Sequence, residues 1–251
     1  TISVTVTDDD GGMGSSSTTV VVTNVAPTAT ISNTGPVDEA SPVTVSLAAT
    51  DASSLDQAVL RYFFSTDPAA RDAATYATSG ASSSQPFTFA DDGVYTVYAR
   101  VMDDDGGYSD YQTQITVNDV APTVALQGNA FINESQTYSL TLAPVVDPGA
   151  DTVDWYVINW GDGSDPLYVS AGSATGTGSG TDPDNLLAMP TNRTFNHFYA
   201  DGTIASLATQ ITVDLVNEES YFSTAGEKLI EVRNVAPTAN VGGSVTVTQG
   251  Q

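Results

Sequence analysis

The 251-residue sequence has no cysteine, a single histidine, and six basic residues against thirty acidic ones. The missing cysteine excludes disulfides and Cys-ligated zinc. It leaves the compartment open, because a sandwich core of ordinary size is stable without crosslinks. The lone histidine, His197, lies in Asn196-His197-Phe198-Tyr199 and reads as a packed or surface residue of a strand approaching a turn at Asp201-Gly202. No catalytic role is assigned to it, and the chain reads as a non-enzyme. Lys228 is the one lysine, so an intramolecular Lys–Asn crosslink has a single possible site and is not expected. No apolar run approaches the ~18 residues that span a bilayer. There is no initiator Met and no signal peptide. The first residues, Thr1-Ile2-Ser3-Val4-Thr5-Val6, already follow a strand pattern. The chain therefore reads as a segment of a longer extracellular or cell-surface protein. A net charge of −24 repels nucleic acid and anionic membranes and attracts divalent cations. The plainer reading of that charge is solubility, including in salty surroundings.

What is abundant is Thr, Ser, Val, Ala, Gly and Asp, a mixture that favours strands and turns. Repeats organise it. Asn24-Val25-Ala26-Pro27-Thr28 returns as Asp119-Val120-Ala121-Pro122-Thr123 and as Asn234-Val235-Ala236-Pro237-Thr238, with prolines 95 and 115 residues apart. That spacing matches immunoglobulin-like sandwiches of roughly 100 residues. Alternating strands precede each copy, at Thr18 to Val22, Gln114 to Val117 and Leu229 to Val232. Upstream lies an acidic turn, Asp8-Asp9-Asp10-Gly11-Gly12 and again Asp103-Asp104-Asp105-Gly106-Gly107. The two share one register, so the repeat reflects homology and not composition. The third copy is looser, with Ile211 to Leu215 leading into Asn217-Glu218-Glu219.

Period-2 alternation predicts half-buried strands. In one of them Tyr95, Val97, Ala99 and Val101 should face inward, and Thr96, Tyr98 and Arg100 outward. Leu55 to Val59 is at most one helical turn. The expected organisation is all-β, a tandem array of immunoglobulin-like sandwiches joined by short, stiff Ala-Pro linkers. Residues 1–24 hold the last strands of a preceding repeat. Residues 25–119 and 120–234 are complete domains, and 235–251 begin another. The second is longer by a Gly- and Ser-rich loop over 170–192, read as surface decoration.

Asn159-Trp160-Gly161-Asp162-Gly163, the Val-x-Val-x-Asp-x-Asp-Gly-Gly strand ends and the Ala-Pro starts together resemble the polycystic-kidney-disease (PKD) family. The resemblance implies a seven-stranded sandwich found in surface proteins, adhesins and secreted hydrolases. It implies that Trp160 packs in the core and that Gly161-Asp162-Gly163 makes a tight turn. The first complete domain departs from it: Tyr62-Phe63-Phe64-Ser65-Thr66-Asp67 stands where the signature should be, nearer to a generic immunoglobulin-like or cadherin-like repeat.

Calcium takes six to eight oxygen ligands, and the acidic residues fall in loops at the two poles of each sandwich. At the leading pole of the first domain stand Asn24, Asp51, Asp56, Asp103, Asp104 and Asp105. At its trailing pole stand Asp38, Glu39, Asp91, Asp92, Asn118 and Asp119. The next leading pole offers Asp147, Asp151, Glu218 and Glu219. Convergence at domain junctions predicts calcium there, stiffening the array as in cadherins; the bland alternative makes Asp-Asp-Asp-Gly-Gly a hairpin turn with solvated carboxylates. Asp162 and Asp165 read as a structural turn. Trp155, Tyr156 and Tyr168 form a candidate sugar-stacking platform. Trp155 and Trp160, five apart, should face opposite sides. Asn133-Glu134-Ser135 and Asn192-Arg193-Thr194 are glycosylation-type triplets, common by chance. The leading expectation is a structural or adhesive stalk, whose partners are neighbouring repeats, further copies of itself or surface glycans, with no nucleic acid and no membrane insertion. The alternatives are accessory modules of a secreted hydrolase and a self-assembling surface layer or fibre.

Overall fold

The computed structural model describes residues 1–172, 187–200, 208–218, 220–239, 242, 243 and 249. Most of the long loop, the Asp201-Gly202 turn, Glu219 and most of 240–251 lie outside the described residues. The chain divides into two compact units, Thr1–Asp119 and Val120–Gln251. Each contains an immunoglobulin-like β-sandwich.

The first unit opens with a hairpin, β1 (Ile2–Thr7) and β2 (Met13–Thr18), whose registers run from Thr7↔Met13 to Ile2↔Thr18. The strand expected over Thr18 to Val22 is displaced: the paired residues are Met13–Thr18. The sandwich follows as β3 (Thr28–Asn33), β4 (Val37–Asp38), β5 (Pro42–Thr50), β6 (Arg61–Ser65), β7 (Ser84–Thr88), β8 (Gly93–Met102) and β9 (Tyr108–Asn118). One sheet has the order β3-β5-β7 and the other β4-β9-β8-β6. Strand β4 runs parallel to β9, and the other pairs are antiparallel. Val43, Val45 and Leu47 of β5 meet Val97, Ala99 and Val101 of β8 in the core. The alternation read in β8 therefore holds, and Tyr95 packs against the same core.

Two short α-helical turns and a 3-10 turn at Tyr76–Thr78 interrupt the strands. The one at Leu55 to Val59 is α1 (Ser54–Gln57). The second, α2 (Pro68–Asp72), was not anticipated, although its signal is present: Asp67 caps it by accepting the Ala69 N–H at 2.8 Å, and Pro68 follows at the first helical position.

Arg100, read as an outward residue, does leave the core but is only 6% exposed. Its guanidinium forks onto Asp110 (Nε–Oδ1 2.6 Å, Nη2–Oδ2 2.9 Å), donates to the Ala74 carbonyl at 3.3 Å and lies over the Tyr108 ring. The bidentate pair joins β8 to β9, and the Ala74 bond ties the segment after α2 to the outer face of that hairpin.

The second unit repeats the plan with β10 (Thr123–Gln127), β11 (Phe131–Asn133), β12 (Gln136–Val146), β13 (Val153–Asn159), β14 (Leu167–Ser170), β15 (Leu187–Ala188), β16 (Thr194–Tyr199), β17 (Ala208–Asn217) and β18 (Tyr221–Arg233). Its sheets are β10-β12-β16 and β11-β18-β17-β13-β14-β15, with β11 parallel to β18. Tyr138, Leu140 and Leu142 face Ile211, Val213 and Leu215 across a core that includes Trp160.

The Arg100 fork holds the Asp110 carboxyl below the ordinary carboxylate value, an effect that partial burial opposes. The folded-state pKa is depressed, so this stability is present above the unfolded value of about 3.9 and is lost as pH falls through the folded one. Asp110→Asn should cost roughly 1.5–3 kcal/mol near neutral pH and shrink toward zero in acid. Equal parent and variant denaturation midpoints at pH 7 would contradict this.

Candidate functional site

The acidic turns resolve into one recurring device. Asp8 and Asp103 each open a loop closed by a backbone bond from their own N–H to the carbonyl of Gly12 or Gly107, at 2.9 and 3.0 Å. In both, the aspartate Oδ1 accepts the N–H of that second glycine, at 2.5 and 2.7 Å. The first glycine takes a left-handed φ, +87° at Gly11 and +95° at Gly106. In the second unit Asn217 does the same work in a shorter loop, its Oδ1 accepting the Ser220 N–H at 2.7 Å. The looser third copy keeps the acceptor and drops the charge.

The same turn grips the incoming linker. Asp103 is fully buried, and its Oδ2 accepts the Asn24 side-chain amide at 2.9 Å. Ser109 Oγ donates to the Pro27 carbonyl at 2.6 Å, and the Ala29 N–H donates to the Tyr111 hydroxyl at 2.7 Å. A Cβ on Gly107 would meet Asp103, Asn24 Nδ2 at 2.8 Å and the Ala26 Cα at 2.9 Å. Asn24 to Thr28 and the Asp103–Gly107 turn thus fit against each other.

Beside this turn, Asn24, Asp51, Asp56 and Asp105 line a cleft of about 440 Å³ with Ser53 and Leu55. Asp51 Oδ1 accepts the Ser53 N–H at 2.8 Å, while its Oδ2 is buried with no donor. The Asp56 carboxyl is held above the ordinary carboxylate value, first by desolvation and then by Asp51, Asp105 and Asp104, with the Ser53 hydrogen bond acting the other way. Asp104 and Asp105 are exposed. Within this unit taken by itself, no three of the described carboxylates bring ligand atoms within 4.8 Å of one another.

At the other pole of the first unit, Asn118 Nδ2 donates to Asp38 Oδ1 at 3.2 Å, and Glu39 is 1% exposed. Asp91 and Asp92 enter through backbone carbonyls that accept the Tyr95 hydroxyl. Asp119 is half-buried at the end of the unit. In the second unit Asp147 Oδ1 accepts the Gly149 N–H at 3.1 Å, and Asn217 Nδ2 donates to Asp151 at 3.4 Å. Glu218 accepts the Thr152 N–H and hydroxyl at 3.1 and 3.2 Å; its own backbone N–H and that of Thr152 lower its pKa. These groups brace loops.

Trp160 is 3% exposed, as a core tryptophan should be. Gly161 and Gly163 take φ of +78° and +85°, and between them Asp162 Oδ1 accepts from the Ser164 N–H and Oγ. The partner of this turn is His197. Its Nε2 lies 2.7 Å from Asp162 Oδ2, and its ring stacks on Trp160 at 4.6 Å. The Tyr199 hydroxyl donates to the Trp160 carbonyl at 2.9 Å. His197 is thus packed against the Trp-Gly-Asp-Gly turn. The pairing was not legible from sequence, because 35 residues separate the two groups.

Trp155 lies on the opposite face of β13 from Trp160 and stacks on Tyr168 at 5.7 Å. Tyr156 does not belong to this platform: it points inward, 3% exposed, because its neighbours in β13 alternate. Register adds a residue the sequence did not suggest. Trp155 pairs with Val216 and Val216 with Tyr221, so Tyr221, 58% exposed, shares the outward face. The Tyr221 hydroxyl donates to buried Asp214, and this bond, then burial, pushes the tyrosine up to about 12; Asp214 also accepts the Thr224 N–H at 2.7 Å.

No family model and no curated protein matches the chain. Among solved structures, similar chains include the fibronectin(III)-like modules of CbhA from Clostridium thermocellum, at 11% identity over 85% of this chain and 100% of that one, with a TM-score of 0.29. The adhesin InvE of Yersinia pseudotuberculosis gives 14% identity over 81% and 58%, with a TM-score of 0.30. PcdhgB3 EC1-4 gives 12% over 93% and 64%, with a TM-score of 0.32. At these scores the likenesses carry no functional weight; the sandwich assignment stands on strand order. No helix among the described residues is long and apolar enough to cross a membrane.

If Trp160 is the keystone and Trp155 a surface ring, Trp160→Ala should cost about 3–5 kcal/mol and Trp155→Ala much less. Chemical denaturation followed on the second unit distinguishes them, and similar small losses would contradict the assignment.

Proposed function

We propose that the chain is a non-catalytic structural or adhesive segment of an extracellular surface protein, its repeats serving as a stalk or filament, and that calcium stiffens the leading pole of the first unit. The PKD-like reading of the second unit rests on the packed Trp160 and its Gly-Asp-Gly turn. One observation carries the ion: the buried Asp51 Oδ2 without a donor, beside a cleft shared with Asn24, Asp56 and Asp105. An orphaned buried acceptor costs free energy until something neutralises it, and a bound divalent cation supplies that charge. Asp51, Asp56 and Asp105 would be the carboxylate ligands, with the Asn24 side-chain and loop oxygens completing the shell. Exposed Asp105 must swing inward, since the carboxylates do not already converge. Asp103 is already committed to the turn and the linker.

The raised Asp56 pKa gives this reading a sign. Without a divalent cation, the folded-state value lies above the unfolded one, so this group makes the fold less stable as pH rises through that value. Calcium reverses the effect. Millimolar calcium should therefore raise the melting temperature of the first unit relative to chelator, more at pH 7 than at pH 4, because an ion that binds only the native state stabilises it. Asp51→Asn should remove most of the shift. An unchanged parent melt in chelator and in calcium sinks the calcium reading.

The outward Trp155–Tyr168 stack favours a second reading, accessory glycan binding on the second unit. Flat rings take the apolar face of a sugar, while Tyr221 and the polar side chains of neighbouring strands meet hydroxyls. The net charge of −24 excludes acidic polysaccharides and leaves neutral ones. Titration with neutral β-glucan or xylan oligosaccharides should quench tryptophan fluorescence in the parent and not in Trp155→Ala. Quenching that persists in the variant, or none in the parent, would falsify the platform.

A further inference from the structure

We infer that Glu134 is a linker clasp, the positioning residue that fixes the direction in which the chain leaves the second sandwich without need of any ion. Strand β11 pairs in parallel with β18, ending at Asn133↔Arg233. The next rung is half made by backbone: the Glu134 N–H donates to the Arg233 carbonyl at 2.9 Å. A parallel ladder would complete that rung with the Glu134 carbonyl accepting the N–H two residues beyond Arg233. The chain has turned away by then, since Ser135 takes a φ of +58° and donates its N–H to the Tyr199 carbonyl at 2.8 Å. The side chain fills the place. Glu134 Oε1 accepts the Val235 N–H at 2.6 Å, a short bond to a charged acceptor. The clasp thus seizes the first residue of the Val-Ala-Pro linker, which β18 itself no longer holds.

The first unit carries the same arrangement of backbone. Strand β4 runs parallel to β9 and ends at Asp38↔Asn118, the Glu39 N–H donates to the Asn118 carbonyl at 3.0 Å, and Ala40 takes a φ of +55°. A glutamate again stands where the ladder stops, and Glu39 is 1% exposed. The Glu134 inference is independent of the calcium reading.

The test is backbone amide exchange by NMR on the full 251-residue chain, run in chelator and in calcium. The Val235 amide should be protected in both. Glu134→Ala should accelerate its exchange about tenfold or more while the Ile230 and Val232 amides keep their protection. Glu134→Gln, whose amide oxygen still accepts, should restore most of the slowing. Fast Val235 exchange in the parent overturns the clasp, as does unchanged exchange in Glu134→Ala. Should Glu134→Ala also deprotect Ile230 and Val232, the comparison moves to Glu134→Gln and Glu134→Asp in folded protein. The shorter Asp must then lose the Val235 protection that Gln keeps, and equal protection in the two overturns the inference. Protection that appears only in calcium assigns the linker to the ion instead.

Discussion

The first unit depends on one buried acceptor. Asp103 has no exposure, and both of its oxygens are occupied, one by the Gly107 N–H that closes the β8-β9 turn and one by the Asn24 amide that brings in the linker. A buried carboxylate is tolerable only when its hydrogen bonds are supplied. Here the donors come from two distant stretches of sequence, so satisfying the charge also fixes the turn and the incoming chain. Gly107 is the steric counterpart, since the space its side chain would fill belongs to Asn24 and Ala26. The strands beyond the turn inherit their register from it, and that register puts Val97, Ala99 and Val101 against β5.

Two kinds of bond hold the linker segments, and neither needs a ligand. Incoming residues Asn24, Pro27 and Ala29 are held by side chains of the β8-β9 hairpin. The outgoing Val235 is held by the carboxylate of Glu134. Short linkers become stiff when their backbone groups are bonded as well as when they contain proline. An ion at the leading pole would add to a linker that is already anchored.

The sequence spelled out most of the fold because alternation and repetition are local signals. The inward residues of β8, the core position of Trp160 and the single turn at α1 all follow from spacing within a few residues. The α2 turn was also legible, through Asp67 followed by Pro68. The strand expected over Thr18 to Val22 lies earlier, over Met13–Thr18. The candidate sites were harder. The Asp162–His197 pair, the Arg100–Asp110 fork and the Glu134 clasp each join groups from different strands, and only topology brings them together. One weak signal existed: Glu39 and Glu134 stand 95 residues apart, the spacing of the first two Ala-Pro motifs. It was lost among acidic residues read as a single class.

Comparing the three turns separates structural charge from charge left over. Asp8, Asp103 and Asn217 all place a side-chain oxygen on an N–H a few residues ahead. Because asparagine suffices in the second unit, the turn requires an acceptor and not an anion. The negative charge of Asp104 and Asp105 therefore serves nothing in the turn geometry, and both sit in the field of Asp56 and raise its pKa. Like charges concentrated where no backbone donor needs them work against folding. The first unit carries that burden in the same loops that border the unpartnered Asp51 oxygen, whereas in the second unit Glu218 is already occupied by Thr152. The second unit keeps an unbonded buried oxygen of its own, Asp147 Oδ2, so the demand for counter-charge is not peculiar to one pole and is distinct from the hydrogen bonds that shape the turns.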